Sequence, residues 1–240
     1  MIPDVLGNLT SIIELDRSNN RFEGRILTSF KRLCNLKSIV FSNIKLSQDM
    51  SEVLDILSEC ASNQIERLDL SYTKLFGHLT NHLARFKSIK YLDVSGNSIS
   101  GIIPPCLGQL SWLRTLRLFN NKLNGSLGEI HFANLTSLVA LSAFGNSLKL
   151  EVNKDWTPSF HQLEVLDLGS SSLGPHFPSW FFSLKFLRYL DVFNTGIVGT
   201  IPSKFWKFLF QSFVFNLSHN QIHGHIPNLP ERLVDLRHLI

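Results

Sequence analysis

The chain has 240 residues, 44% of them hydrophobic and 18% charged, with a formal net charge of +4. That apolar content suits a continuous core, and no low-complexity tract points to disorder. The mild positive charge comes without a basic stripe of interleaved aromatics, which argues against nucleic acid as a partner. No run approaches the ~20 apolar residues of a spanning helix, which argues against membrane contact by this segment.

From the N-terminus, Met1-Ile2-Pro3-Asp4 reads as the tail of a repeating unit, followed by the sequon Asn8-Leu9-Thr10. One slot then recurs at Asn20, Ile44, Thr73, Asn97, Asn121, Asn146, Ser171, Thr195 and Asn220. Intervals are 24 or 25 residues, except 29 between Ile44 and Thr73. Around the slot the template is L-x-x-L-x-x-L-x-L-x-x-N-x-L-x-G-x-I-P, filled in one copy by Phe86, Ile89, Leu92, Val94, Asn97, Ile99, Gly101, Ile103 and Pro104. A tenth copy begins near Leu233. Fixed-period self-similarity specifies a solenoid, and this is the leucine-rich-repeat pattern, its Gly-x-Ile-Pro ending resembling the plant extracellular subclass.

The expected fold is therefore an α/β solenoid, a right-handed horseshoe with a parallel sheet on its concave face. Residues 1–240 read as a single array of about nine repeats, interrupted at both ends as in an internal piece of a longer protein. The L-x-L segment alternates in and out, as a half-buried strand does. The Asn amide is expected to bond backbone groups that stacking would leave unpaired. Thr73, Ser171 and Thr195 can do part of that work and Ile44 cannot, so a local break in the ladder is expected at the 29-residue interval. Gly77, Gly101, Gly125, Gly199 and Gly224 permit tight turns, and Pro104, Pro202 and Pro227 fix extended geometry after them.

Cys34 and Cys60 flank the irregular interval on the outer side; a disulfide there and two small buried thiols are both open, and Cys106 is left over. Asn124, Asn134 and Asn216 complete the sequons, with Asn8 and Asn134 in matching outer registers. His219, His223 and His225 cluster in sequence, but the strand register does not converge them on a metal. No cofactor-binding motif is present.

Function is expected on the strand face, where five positions per repeat point to solvent. One column is Asp (Asp16, Asp69, Asp93, Asp167, Asp191) and the next is Ser (Ser18, Ser42, Ser71, Ser95, Ser218). Phe119, Phe144 and Phe193 replace Ser, Arg117 replaces Asp with Arg114 beside it, and Tyr91 and Tyr189 fall in the first column. Phe, Tyr and Arg on a rigid curved sheet have the composition of a binding hot spot, or the rings shield the sheet. The Asp column follows the template without a positioned nucleophile, so it reads as structural and the chain as no enzyme.

Off-template segments carry a closer resemblance. Leu33-Cys34-Asn35-Leu36-Lys37-Ser38 with Leu57-Ser58-Glu59-Cys60-Ala61-Ser62-Asn63 resembles a stretch of the plant leucine-rich-repeat receptor-like proteins. Trp156-Thr157-Pro158-Ser159-Phe160 and Leu173-Gly174-Pro175-His176-Phe177-Pro178 are similar to the group that receives fungal ethylene-inducing xylanase. The resemblance implies the ligand-recognition segment of a defence receptor on the extracellular side of the plasma membrane, with a protein or peptide ligand and a receptor-kinase co-receptor. A secreted inhibitor of a pathogen wall-degrading enzyme and a non-functional receptor-gene fragment are the alternatives.

Overall fold

The computed structural model describes residues 4–208, 214–225 and 238–239; Pro227 and the copy begun near Leu233 lie outside them. Nine short strands recur once per repeat: β1 (Glu14–Asp16), β2 (Ser38–Val40), β3 (Arg67–Asp69), β4 (Tyr91–Asp93), β5 (Thr115–Arg117), β6 (Ala140–Ser142), β7 (Val165–Asp167), β8 (Tyr189–Asp191) and β9 (Val214–Asn216). With β10 (His238–Leu239) they form one parallel sheet in chain order. Their central residues Leu15, Ile39, Leu68, Leu92, Leu116, Leu141, Leu166, Leu190 and Phe215 are in register from strand to strand and buried. Val94 and Leu118 are buried beside them, in a core that runs from Leu6 to Phe215. Strands stack about 4.8 Å apart, closer than the helical turns opposite, so the array curves with this sheet inside.

The residues after each ladder slot build a second, lateral layer. Phe76–His78, Ser98–Gly101, Lys122–Leu127 and Ser147–Leu150 pair in parallel, as do Val198–Thr200 and Gln221–His223. The outer side is mostly single 3-10 turns, such as Asn81–Arg85 and Pro105–Gln109.

The ladder is continuous where the slot is Asn. Asn97 Nδ2 donates to the carbonyls of Val94 and Ser95 in its own coil and of Leu70 in the preceding coil, while its Oδ1 accepts from the Thr73 and Leu75 N–H groups. Asn121, Asn146 and Asn220 repeat the pattern. Thr73 and Thr195 bond their own coils through the hydroxyl, and their carbonyls accept the N–H groups of Leu46 and Leu173. Ser171 departs from expectation: its hydroxyl is buried without a hydrogen-bond partner among the described residues.

The expected break at the 29-residue interval does not reach the sheet. β2 and β3 pair in full register, and Phe41 and Asn43 donate onward to the carbonyls of Asp69 and Ser71. The extra residues go to the outer side, as an α-helix Met50–Leu57 capped by the Asp49 carboxylate. Its apolar spacing buries Met50, Val53, Leu54 and Leu57 against the core. What is interrupted is the amide ladder alone, because Ile44 is apolar and buried. Cys34 and Cys60 are joined on the exposed outer side, with Cα atoms 4.8 Å apart, so they are not buried thiols.

Candidate functional site

The residue before each ladder slot has positive φ in all nine coils: Asn19, Asn43, Tyr72, Gly96, Asn120, Gly145, Ser170, Asn194 and His219. Here the chain turns off the strand, and Asn and Gly adopt the left-handed region readily. Tyr does not, at a cost of roughly 1–2 kcal/mol. Tyr72 nevertheless sits at φ 56, its ring spread over Gly96, where a Cβ would overlap it. Sequence reasoning missed this residue because the template leaves the position open; its signal was a Tyr where six of the other eight coils have Asn or Gly.

Tyr72 begins an aromatic row. Its ring meets Phe119 edge-on with centroids 6.4 Å apart, and Phe119 stacks on Phe144 at 4.8 Å and 4°. Both Phe rings are half-buried and Tyr72 is 48% exposed, so the row shields the strand ends and presents apolar surface as well. Farther along, Phe193 packs on His219 at 4.7 Å.

Beside the row, β3, β4 and β5 gather a charged cluster. The Arg67 guanidinium carbon lies 3.8 Å from the Tyr91 ring centroid, and its Nη2 is 3.0 Å from Asp69 Oδ2. Arg117 approaches from the other side, with Nη1 3.2 Å from the Tyr91 hydroxyl and 3.6 Å from Asp93 Oδ2. Burial raises the Tyr91 phenol above its ordinary value, with the charges of Asp93 and Asp69 adding to it. Arg114 does not join: it is exposed, in the backbone register of Lys90 and Glu66 at the start of the strands.

The Asp and Ser columns are less solvent-facing than the alternation predicts. Asp69 and Asp93 are 6% and 4% exposed, and Ser95 is fully buried. The carboxylates of Asp16, Asp69 and Asp93 turn back to accept the N–H and hydroxyl of Ser18, Ser71 and Ser95, while those of Asp167 and Asp191 accept the N–H groups of Gly169 and Phe193. The column fastens the exit turn of each strand.

At Gly169 the Phe column is interrupted, which opens a cleft of about 320 Å³ between Phe144 and Phe193. Asp167, Tyr189 and Asp191 also line it. Burial pushes the Asp167 carboxyl up to about 6, and the Asp191 charge adds to the rise. The Tyr189 phenol is pushed to about 12, again mainly by burial. Of the seven predicted residues, then, Tyr91 and Arg117 share one cluster, Phe119 and Phe144 stack, and Phe144, Tyr189 and Phe193 line the cleft.

Among the sequons, Asn8, Asn124 and Asn134 are exposed, whereas the half-buried Asn216 donates its amide to Asp191 Oδ2 at 2.9 Å. Among the described residues no three or more His, Cys, Asp or Glu side chains are grouped to hold a metal, and no helix is long and apolar enough to cross a membrane. Cys106 is free and partly buried.

Comparison with known proteins agrees with the repeat architecture. The family model Leucine Rich Repeat matches residues 88–110. The tomato receptor-like protein EIX1 (Solanum lycopersicum) is 40% identical over 48% of the chain and 11% of its own length. Receptor-like protein 32 of Arabidopsis thaliana is 29% identical over 94% of the chain and 25% of its own length. The chain thus spans a quarter or less of these curated relatives. Among solved structures, the Arabidopsis receptor kinase HAESA in complex with the peptide hormone IDA and the co-receptor SERK1 superposes with a TM-score of 0.80 at 26% identity, covering 95% of this chain and 37% of that one. A plant ice-binding protein superposes at 0.79 with 26% identity, covering 95% of this chain and 70% of that one, so the backbone alone does not select a function.

Proposed function

We propose that the strand face of this leucine-rich-repeat array, which is similar to plant receptor-like proteins, is the ligand-recognition segment of a cell-surface receptor in plant defence and carries no catalytic activity. The ligand is a protein or peptide held by the row Tyr72, Phe119 and Phe144 with Arg117 beside it. A receptor kinase partners the full-length protein, as the SERK1 co-receptor does HAESA. The observation that carries the reading is Tyr72. A bulky ring is kept in a left-handed conformation, at a conformational cost, where it extends an exposed aromatic surface. Rings stacked on a sheet are already ordered, so a ligand meets them without a large ordering cost.

The test is binding of the 240-residue chain to a panel of fungal secreted proteins and their peptide digests, ethylene-inducing xylanase among them. Phe119→Ala, Phe144→Ala and Arg117→Ala together are expected to weaken a bound species by ~100-fold or more, as central aromatic and Arg anchors do, with the far-UV spectrum unchanged. Undiminished binding by the triple variant overturns the reading.

A further inference from the structure

The sheet carries the same trio of side chains twice. In the first copy, Asp69 on β3 faces Asp93 on β4, with Tyr91 beginning β4. In the second, Asp167 on β7 faces Asp191 on β8, with Tyr189 beginning β8. Each Tyr hydroxyl donates to the Asp of its own strand, at 3.2 Å and 3.4 Å. The two copies differ in what surrounds them. The first holds two guanidinium groups from its own chain, Arg67 against the Tyr91 ring and Asp69, and Arg117 against Tyr91 and Asp93. In the second, the registers of Arg67 and Arg117 are Val165 and Asn216. Among the described residues neither Asp167 nor Asp191 has an ion-pair partner. Instead of arginines there is the open cleft at Gly169, walled by Phe144 and Phe193.

We infer that this cleft receives an arginine side chain from the ligand, completing the second trio as Arg67 and Arg117 complete the first. The inference rests on the reading of the strand face as the ligand surface and names what that surface selects. A planar guanidinium fits because it can lie on an aromatic ring while its N–H fork reaches carboxylates on both sides. Acceptor capacity remains. Among the described residues Asp167 accepts only the Gly169 N–H and the Ser142 hydroxyl, both at 3.3 Å. Asp191 accepts the Phe193 N–H, the Asn216 amide and the Tyr189 hydroxyl, leaving a lone-pair site on its carboxylate. Charge points the same way: two half-buried carboxylates with no cation beside them repel each other until one arrives. Gly169 is what leaves the opening, since its column holds Phe in the coils on either side.

The probe is Nα-acetyl-arginine amide, titrated into the ¹⁵N-labelled 240-residue chain and followed by NMR, with the citrulline analogue as a neutral match in shape. Saturable shifts at the Gly169 and Phe193 amides are expected with arginine and not with citrulline. Asp191→Asn keeps the hydrogen bond to Phe193 and should weaken the response ~10-fold, about the worth of one charge-assisted contact. Gly169→Phe restores the ring of its neighbours and should abolish the response. Equal shifts with citrulline, a stronger response to the lysine amide, or an arginine response that survives Asp191→Asn undiminished overturns the inference, even if Gly169→Phe does not fold. Tyr72→Ala separates the two proposals. Its ring meets Phe119 and lines no part of the cleft, so the arginine response should stay intact, while its effect on a protein ligand reports on the wider surface alone.

Discussion

Tyr72 and Asn121 show what single positions do in this array. Asn121 bonds three carbonyls and one N–H that stacking has removed from water, so Asn121→Ala is expected to cost about 2–4 kcal/mol in urea unfolding, from buried groups left unpaired. Ser171→Ala in the equivalent slot should cost less than about 0.5 kcal/mol, because that hydroxyl has no hydrogen-bond partner among the described residues. Equal losses at the two sites would contradict the ladder account. Tyr72→Asn should move stability and binding in opposite directions. Relief of the left-handed Tyr stabilises the fold by about 1 kcal/mol, while loss of the ring weakens ligand binding. Asp167 supplies a pH signature. Its folded value of about 6 lies above its ordinary 3.8, so folding takes up a proton between those values. The stability from this group is complete below about pH 4 and is lost as pH rises to about 6. Asp16, Asp49 and Asp55 are held below their ordinary values, chiefly by hydrogen bonds, and their contributions are lost only as pH falls further. The difference in melting temperature between the wild type and Asp167→Asn should therefore shift in favour of the variant from pH 4 to pH 6.5. A flat difference would contradict the burial of that carboxyl.

At the scale of elements, the strand row and ladder were legible because stacking imposes the same inward spacing on each coil. Leu92, Val94, Leu116 and Leu118 are inside, where the alternation puts them. The irregular interval was legible as an irregularity but not as a helix. Once the sheet is held in register, the surplus residues can leave only on the outer side, and Met50–Leu57 has the 3-4 apolar spacing to pack there. The turn residues were not legible, because a template position that tolerates Asn, Gly, Ser, His and Tyr gives no pattern, although a backbone angle unites them. Nor was the burial of Asp69 and Asp93, since strand alternation predicts only direction and not what folds back over it. The Cys34–Cys60 link closes a separation of 26 residues around the helix, so replacing both with Ala is expected to cost about 3 kcal/mol in chemical denaturation. No change on reduction would contradict that assignment.

Across the whole molecule, the strand face runs from Arg67 and Arg117, through the rings of Tyr72, Phe119 and Phe144, to Asp167 and Asp191. A ligand lying along it meets positive charge, apolar surface and negative charge within a few strand spacings. The plant ice-binding protein with nearly the same backbone shows that these side chains, and not the arc, must carry the function. Hydroxyl-radical footprinting, with and without a ligand captured in the binding panel, tests this most directly, because it reads aromatic side chains one by one. Tyr72, Phe119 and Phe144 are predicted to lose reactivity in the complex while Trp112 and Phe186, exposed on the loops entering β5 and β8, keep theirs. Protection of Trp112 and Phe186 with unchanged reactivity along the Tyr72 row would contradict the account.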